Sequence, residues 1–274
     1  MLNFMIRGHD LSTVTDFNSL AEKTAEQGIH TIQLALGLSF PQLPSEAEHL
    51  NCGMGELVKR TLAKNEVSVG ILSCYINMIH PDLAIREKLL CKFESYLENA
   101  RHFGATMVAS ETGCVLPEIQ YTEDNFSDAA FAELVQVVQR LVATGEKVGM
   151  MVGIEPGLNH PLYSIERVQQ LLEAIQSPFL GIILDPSNLI TSQNYQEQVA
   201  MVQQAFELFG EKIVAVHLKD YRFVDDKIEP VNIGEGLINY QAITDIVKTY
   251  KPGAFVVLEE TKDDGIKRAL ELLQ

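Results

Sequence analysis

Cations are scarce in this sequence. Twenty-one Lys and Arg face 37 Asp and Glu across 274 residues, a formal net charge of −16. Nucleic-acid binding rests on cations that neutralise phosphates, and no run of Lys or Arg builds a basic patch, so no nucleic-acid partner is expected. Cysteine is sparse as well. Cys52, Cys74, Cys91 and Cys114 lie far apart with no C-x-x-C pair, which excludes a zinc ribbon and a dense disulfide framework and points to reduced thiols. No stretch approaches 18 uninterrupted apolar residues, so no membrane span is expected. The first ten residues carry a charge and a His and no apolar run of signal length. These absences together predict a soluble, cytoplasmic protein. A Pro- or Ser-rich linker is also missing, so residues 1–274 are read as one domain.

What the chain does have is alternation. Short runs rich in Val, Ile, Leu and Met, at residues 2–7, 31–36, 68–75, 106–110, 148–155, 180–185, 213–219 and 254–259, read as strands. Between them lie amphipathic stretches, the clearest at residues 84–103, where Leu89, Leu90, Phe93, Leu97 and Ala100 recur at helical spacing. Residues 129–143, 165–175, 195–209 and 240–250 follow the same pattern, with Ser127 and Ser164 as N-caps and Gly28, Gly104, Gly145 and Gly210 as stops. Continuously apolar strands suit a parallel sheet covered on both faces. Eight strand–helix units of about 34 residues predict an α/β fold, a closed (β/α)8 TIM barrel. The rival is an open doubly wound sheet, but its first turn here, Arg7-Gly8-His9-Asp10, lacks the G-x-G-x-x-G fingerprint.

In such a barrel the chemistry sits at the C-terminal ends of the strands. The last four strands finish in Gly-Ile-Glu155-Pro, Ile-Leu-Asp185-Pro-Ser-Asn188, Val-His217-Leu-Lys-Asp220 and Val-Leu-Glu259-Glu260. One acid ending a strand is an ordinary loop or capping group. Four ionisable ends in succession need a common partner, because an unpaired buried charge costs several kcal/mol. A divalent cation would satisfy Glu155, Asp185, His217 and Glu259 together. Three carboxylates and an imidazole suit Mn²⁺ first, with Mg²⁺, Co²⁺ or Zn²⁺ as alternatives. Open coordination positions would then take the adjacent oxygens of a small polyhydroxylated substrate.

The ordered set G-I-E-P, L-D-P-S-N, V-H-L-K-D, I-G-E-G-L-I-N-Y and V-V-L-E resembles the sugar phosphate isomerase/epimerase superfamily of xylose isomerase-like barrels, most strongly over residues 148–260. The resemblance implies that Glu155, Asp185, His217 and Glu259 bind one metal. It implies too that Glu155 and Glu259 form the acid/base pair of an isomerase or epimerase acting next to a carbonyl through an enediolate. Dehydratases of cyclic polyols or keto acids share the pattern, and a non-catalytic sugar-binding barrel is the remaining alternative. Alternation puts only one of Glu259 and Glu260 on the barrel axis, without saying which; Glu259 matches the family motif. Where relatives commonly carry a His three residues after the sixth-strand Asp, this chain has Asn188, which can still hydrogen-bond a hydroxyl. Arg222 is the nearest match to an Arg that would hold a phosphate or carboxylate. His9, His80, Glu111 and His160 fall at the expected barrel mouth as further substrate contacts. Asp220 reads as an orienting or capping group, and Gly234 with Gly236 as either an anion nest or a plain turn. A homodimer is compatible with the resemblance.

Overall fold

The computed structural model describes residues 2–273. Strands β1 (Asn3–Arg7), β2 (Thr31–Ala35), β3 (Ser68–Ser73), β4 (Met107–Glu111), β5 (Met151–Glu155), β6 (Leu180–Leu184) and β7 (Ile213–Val224) follow one another in the chain. A short β8 (Lys227–Val231) and a last β9 (Phe255–Glu259) complete the set. Each of β1 to β6 pairs in parallel with the next, β7 pairs with β9 and β9 with β1, which closes an eight-stranded parallel barrel. The interposed helices are α1 (Phe17–Glu26), α2 (Leu36–Ser39), α3 (Cys52–Ala63), α4 (Leu83–Phe103), α5 (Asp128–Val148), α6 (Ile165–Ala174), α7 (Gln198–Phe209), α8 (Tyr240–Tyr250) and α9 (Asp264–Leu273). The chain is a (β/α)8 TIM barrel. Among the described residues no helix is long and apolar enough to cross a membrane.

Alternation along the strands sorts the core into two parts. Met5, Ile71, Met107, Ala109, Ile183, Ala215 and Val257 form a small cluster inside the barrel. The intervening residues, among them Ile6, Leu72, Val108, Ile182, Val216, Val256 and Leu258, pack outward against the helices. This sorting decides the Glu259–Glu260 doublet. Val257 points inward, so Glu259, two residues on, does as well. Glu260 leaves the strand in the left-handed region, at φ 55°, a conformation that costs a non-glycine residue of order 1 kcal/mol and marks special positions.

Several boundaries differ from expectation. Helix α5 runs through Gly145 to Val148, and the left-handed cap is Gly149, at φ 70°. Gly145 answers to packing instead: a Cβ there would lie 2.5 Å from the Met150 carbonyl oxygen, where the helix end meets the approach to β5. The fifth strand accordingly begins at Met151, not at residue 148. Glu111 ends β4 rather than following it, and Asp185 lies one residue past β6. The seventh strand continues past residue 219 into an antiparallel hairpin with β8, a pairing outside the repeating unit.

Candidate metal centre

Glu155, Asp185, His217 and Glu259 meet at the C-terminal end of the barrel. Each offers a ligand atom, and these atoms all lie within 4.8 Å of one another. All four residues are buried; Asp185 has 0% of its surface exposed. The way they are held is informative. Asp185 Oδ1 accepts from the Ser187 N–H at 2.8 Å and the Ser187 hydroxyl at 2.6 Å, as the N-cap of the 3-10 turn Pro186–Leu189. His217 Nε2 faces Gln33 Oε1 at 3.0 Å. Glu259 Oε1 accepts from Arg7 Nη1 at 2.9 Å and Lys219 Nζ at 3.1 Å. Glu155 Oε1 accepts from Asn188 Nδ2 at 2.8 Å.

One atom of each ligand is thus tied down by the chain, and the others are left for the centre. Asp185 Oδ2 and His217 Nδ1 are buried without an aligned hydrogen-bond partner. Lys219 Nζ lies 2.8 Å from that oxygen, and Glu259 Oε2 2.5 Å from that nitrogen, but as close charges rather than aligned bonds. Buried polar atoms are normally satisfied. Orphaned atoms converging among carboxylates are what a divalent cation would complete, so the donor set fits one. The partners that orient the ligands fit it too, since metal-binding His and carboxylate groups are normally fixed through their second atom.

The electrostatics divide the two glutamates. Burial pushes the Glu155 carboxyl above its usual range, because the nearby His217 does not offset lost hydration and the charges of Glu259 and Glu111. Burial acts on Glu259 in the same direction, but Lys219, His217 and Arg7 outweigh it and hold that carboxyl well below the usual range. For His217, burial favours the neutral ring, yet Glu155 and Glu259 overcome it and push the imidazole up to about 10. The Lys219 ammonium, despite burial, is held charged by Asp185, Glu259 and Glu155.

The remaining sequence candidates are distributed unevenly around this centre. Asn188 joins it directly: besides Glu155, its Oδ1 accepts from Lys219 Nζ at 2.7 Å, so both ends of the amide are engaged. Glu111 stands opposite Glu155 in the β4–β5 register. His160 lies 3.7 Å from the Glu111 carboxylate and bonds the Gly113 carbonyl oxygen at 2.8 Å. His9 packs beside Arg7, and burial first, then the Arg7 charge, lowers its imidazole. His80 is occupied locally, its Nδ1 accepting from the Asp82 N–H at 3.1 Å. Arg222 is exposed and bonds the Glu235 carbonyl oxygen at 2.8 and 3.0 Å, outside the cluster. Arg7, Gln33 and Lys219 are the centre's members that the strand-end reading passed over. The signal existed: alternation from Met5 and Ala215 puts Arg7, His217 and Lys219 on the inner face.

The Gly234–Gly236 turn does bind an anion, but an internal one. Asp220 accepts from the N–H groups of Tyr221 at 2.8 Å and of Gly234, Gly236 and Ile238 at 2.9 Å. A Cβ at Gly236 would collide with Asp220 and the Tyr221 carbonyl. Asp220→Ala is expected to leave these donors unpaired and destabilise the fold by about 2–4 kcal/mol, a Tm drop of about 5–15 °C. An unchanged Tm would show that the turn holds itself.

The family described as xylose isomerase-like TIM barrel matches residues 21–274. A curated relative, the 3-oxo-isoapionate decarboxylase of Pectobacterium atrosepticum, is 25% identical over 122 residues, 42% of this chain and 41% of that protein. The match therefore spans less than half of the relative's length. The probable 3-DHS dehydratase AsbF of Bacillus anthracis superposes with a TM-score of 0.77 at 19% identity, covering 99% of this chain and 98% of that one. A D-tagatose 3-epimerase-like protein superposes at 0.74 with 19% identity, covering 99% and 96%.

Proposed function

This chain belongs to the xylose isomerase-like TIM barrel family, and from that premise we propose that it is a divalent-metal-dependent isomerase or epimerase of a small sugar or sugar phosphate. The observation that carries the reading is the convergence of Glu155, Asp185, His217 and Glu259 within 4.8 Å, each held by the chain through one atom. A divalent ion held there, Mn²⁺ first by its donor set, supplies Lewis acidity to a carbonyl and so makes the neighbouring C–H more acidic. Glu155 takes that proton. Its carboxyl, buried at the barrel mouth among the ligand atoms, is placed to hold and return one, with Glu259 across the same cluster. Asn188 holds Glu155 in place through Oε1. Return of the proton by Glu155 to the adjacent carbon gives isomerisation; epimerisation instead takes a proton delivered to the opposite face by a second group, with Glu259 as the other member of the pair.

A second reading, decarboxylation of an oxo acid, is favoured by the Pectobacterium relative; it draws on the same polarised carbonyl but breaks a C–C bond. Product analysis separates the two. The metal-loaded protein, given a panel of sugars, sugar phosphates and oxo acids in D₂O, is expected to return a product of unchanged formula with deuterium at the carbon beside the carbonyl. Released CO₂ would replace the first reading with the second, and loss of water would replace it with a dehydratase. Turnover of none of the panel with metal bound would favour a binding barrel.

A further inference from the structure

We infer that Gln33 is a positioning residue of the metal centre: its neutral amide oxygen holds His217 with the proton on Nε2, so that Nδ1 is the donor atom. The inference rests on the metal reading above. Gln33 lies on β2, on the inner face of the barrel, with 1% of its surface exposed. A buried amide is costly unless its groups are paired, and this one is paired on three sides. Its Nε2 donates to Ser73 Oγ at 3.0 Å and to Tyr75 Oη at 3.0 Å, and its Oε1 faces His217 Nε2 at 3.0 Å. The two hydroxyls take both N–H groups, which leaves only the oxygen for the ring.

The route of this contact is unusual for a mere packing bond. In the sheet, β1 and β9 separate β2 from β7, so the amide reaches His217 across the barrel interior, on the face that also carries the apolar cluster of Met5, Ala215 and Val257. Reversing the amide would turn its N–H2 toward the ring, make His217 Nε2 the acceptor and put the imidazole proton on Nδ1, where it would block ligation. The chemistry of the partner matters as well. A carboxylate behind a metal-binding imidazole raises its basicity; an amide orients the ring without adding charge. Gln33 therefore tunes the imidazole toward a weaker donor, which suits the oxygen-preferring ions more than zinc.

The test is metal binding rather than turnover. Chelator-treated wild type, Gln33→Leu and Gln33→Glu are titrated with Mn²⁺ and Zn²⁺ by calorimetry, and the visible absorption of the Co²⁺ forms is recorded. Gln33→Leu is expected to bind Mn²⁺ about 10–100-fold more weakly, with an altered Co²⁺ spectrum. Gln33→Glu is expected to recover binding and to shift the preference toward Zn²⁺. Wild-type affinity and an unaltered Co²⁺ spectrum in Gln33→Leu would overturn the inference alone, even if its Tm fell. Should Gln33→Leu not fold, Gln33→Glu decides: an unchanged Zn²⁺ to Mn²⁺ preference overturns the inference. Wild type that takes up none of the three ions overturns the metal reading and this inference with it.

Discussion

Glu155→Gln is expected to lower kcat by about 10²–10⁴-fold, the usual contribution of a positioned acid/base group, while most of the metal stays bound. The substitution keeps shape, and the amide oxygen can still accept from Asn188 Nδ2, which now lies 2.8 Å from Glu155 Oε1. What it removes is a carboxylate at the centre that can accept and return a proton, which an amide cannot. Asp185, His217 and Glu259 remain to hold the ion. His217→Ala should behave differently, losing the metal along with turnover, because it deletes the cluster's only nitrogen donor. Elemental analysis beside steady-state kinetics separates the two variants. Full activity in Glu155→Gln would remove that side chain from the chemistry.

Metal uptake near neutral pH is expected to release about one proton, with affinity rising about tenfold per pH unit until the imidazole itself has titrated. The cause is His217. Between Glu155 and Glu259 its ring is pushed up to about 10, so the metal-free protein holds an imidazolium that must lose a proton before Nδ1 can donate. Calorimetry in two buffers of different ionisation enthalpy counts the protons; a count of zero would show that the ring is already neutral before the metal arrives. Stability of the metal-free protein follows with a definite sign. The folded pKa is raised above the unfolded value of about 6.5, so the imidazolium's contribution is fully present below that pH. It is lost as pH rises through about 10. Metal should therefore stabilise the fold most on the alkaline side, where this internal counter-charge fades.

The same residues show what can be read in a one-dimensional pattern. Strand-end position and donor chemistry are local properties, so Glu155, Asp185, His217 and Glu259 stand out in the sequence. Arg7 does not, because its significance lies in contacts with Asp10, Glu259 and Glu260, two of them some 250 residues away. Gln33 is equally silent: nothing near it in the chain hints at a bond 184 residues distant. Asn188 and Arg222 were legible as polar groups near the mouth, but not the partners they take, since a side chain's bonds depend on which donors packing brings within 3 Å. Gly145 illustrates the opposite error. A glycine within a helical pattern reads as a stop, yet here it answers to the nearness of the Met150 carbonyl, and Gly149 ends the helix.

By itself the sequence determined the barrel and the residues that end its later strands, because hydrophobic period and strand-terminal chemistry are written in neighbouring positions. Tertiary structure alone decided that Glu259 rather than Glu260 turns inward, that Lys219 and Arg7 share its oxygen, and that an amide from β2 sets the His217 ring. Those outcomes depend on how closing a sheet brings distant strands to one end of a common interior, a geometry that no local stretch of chain encodes.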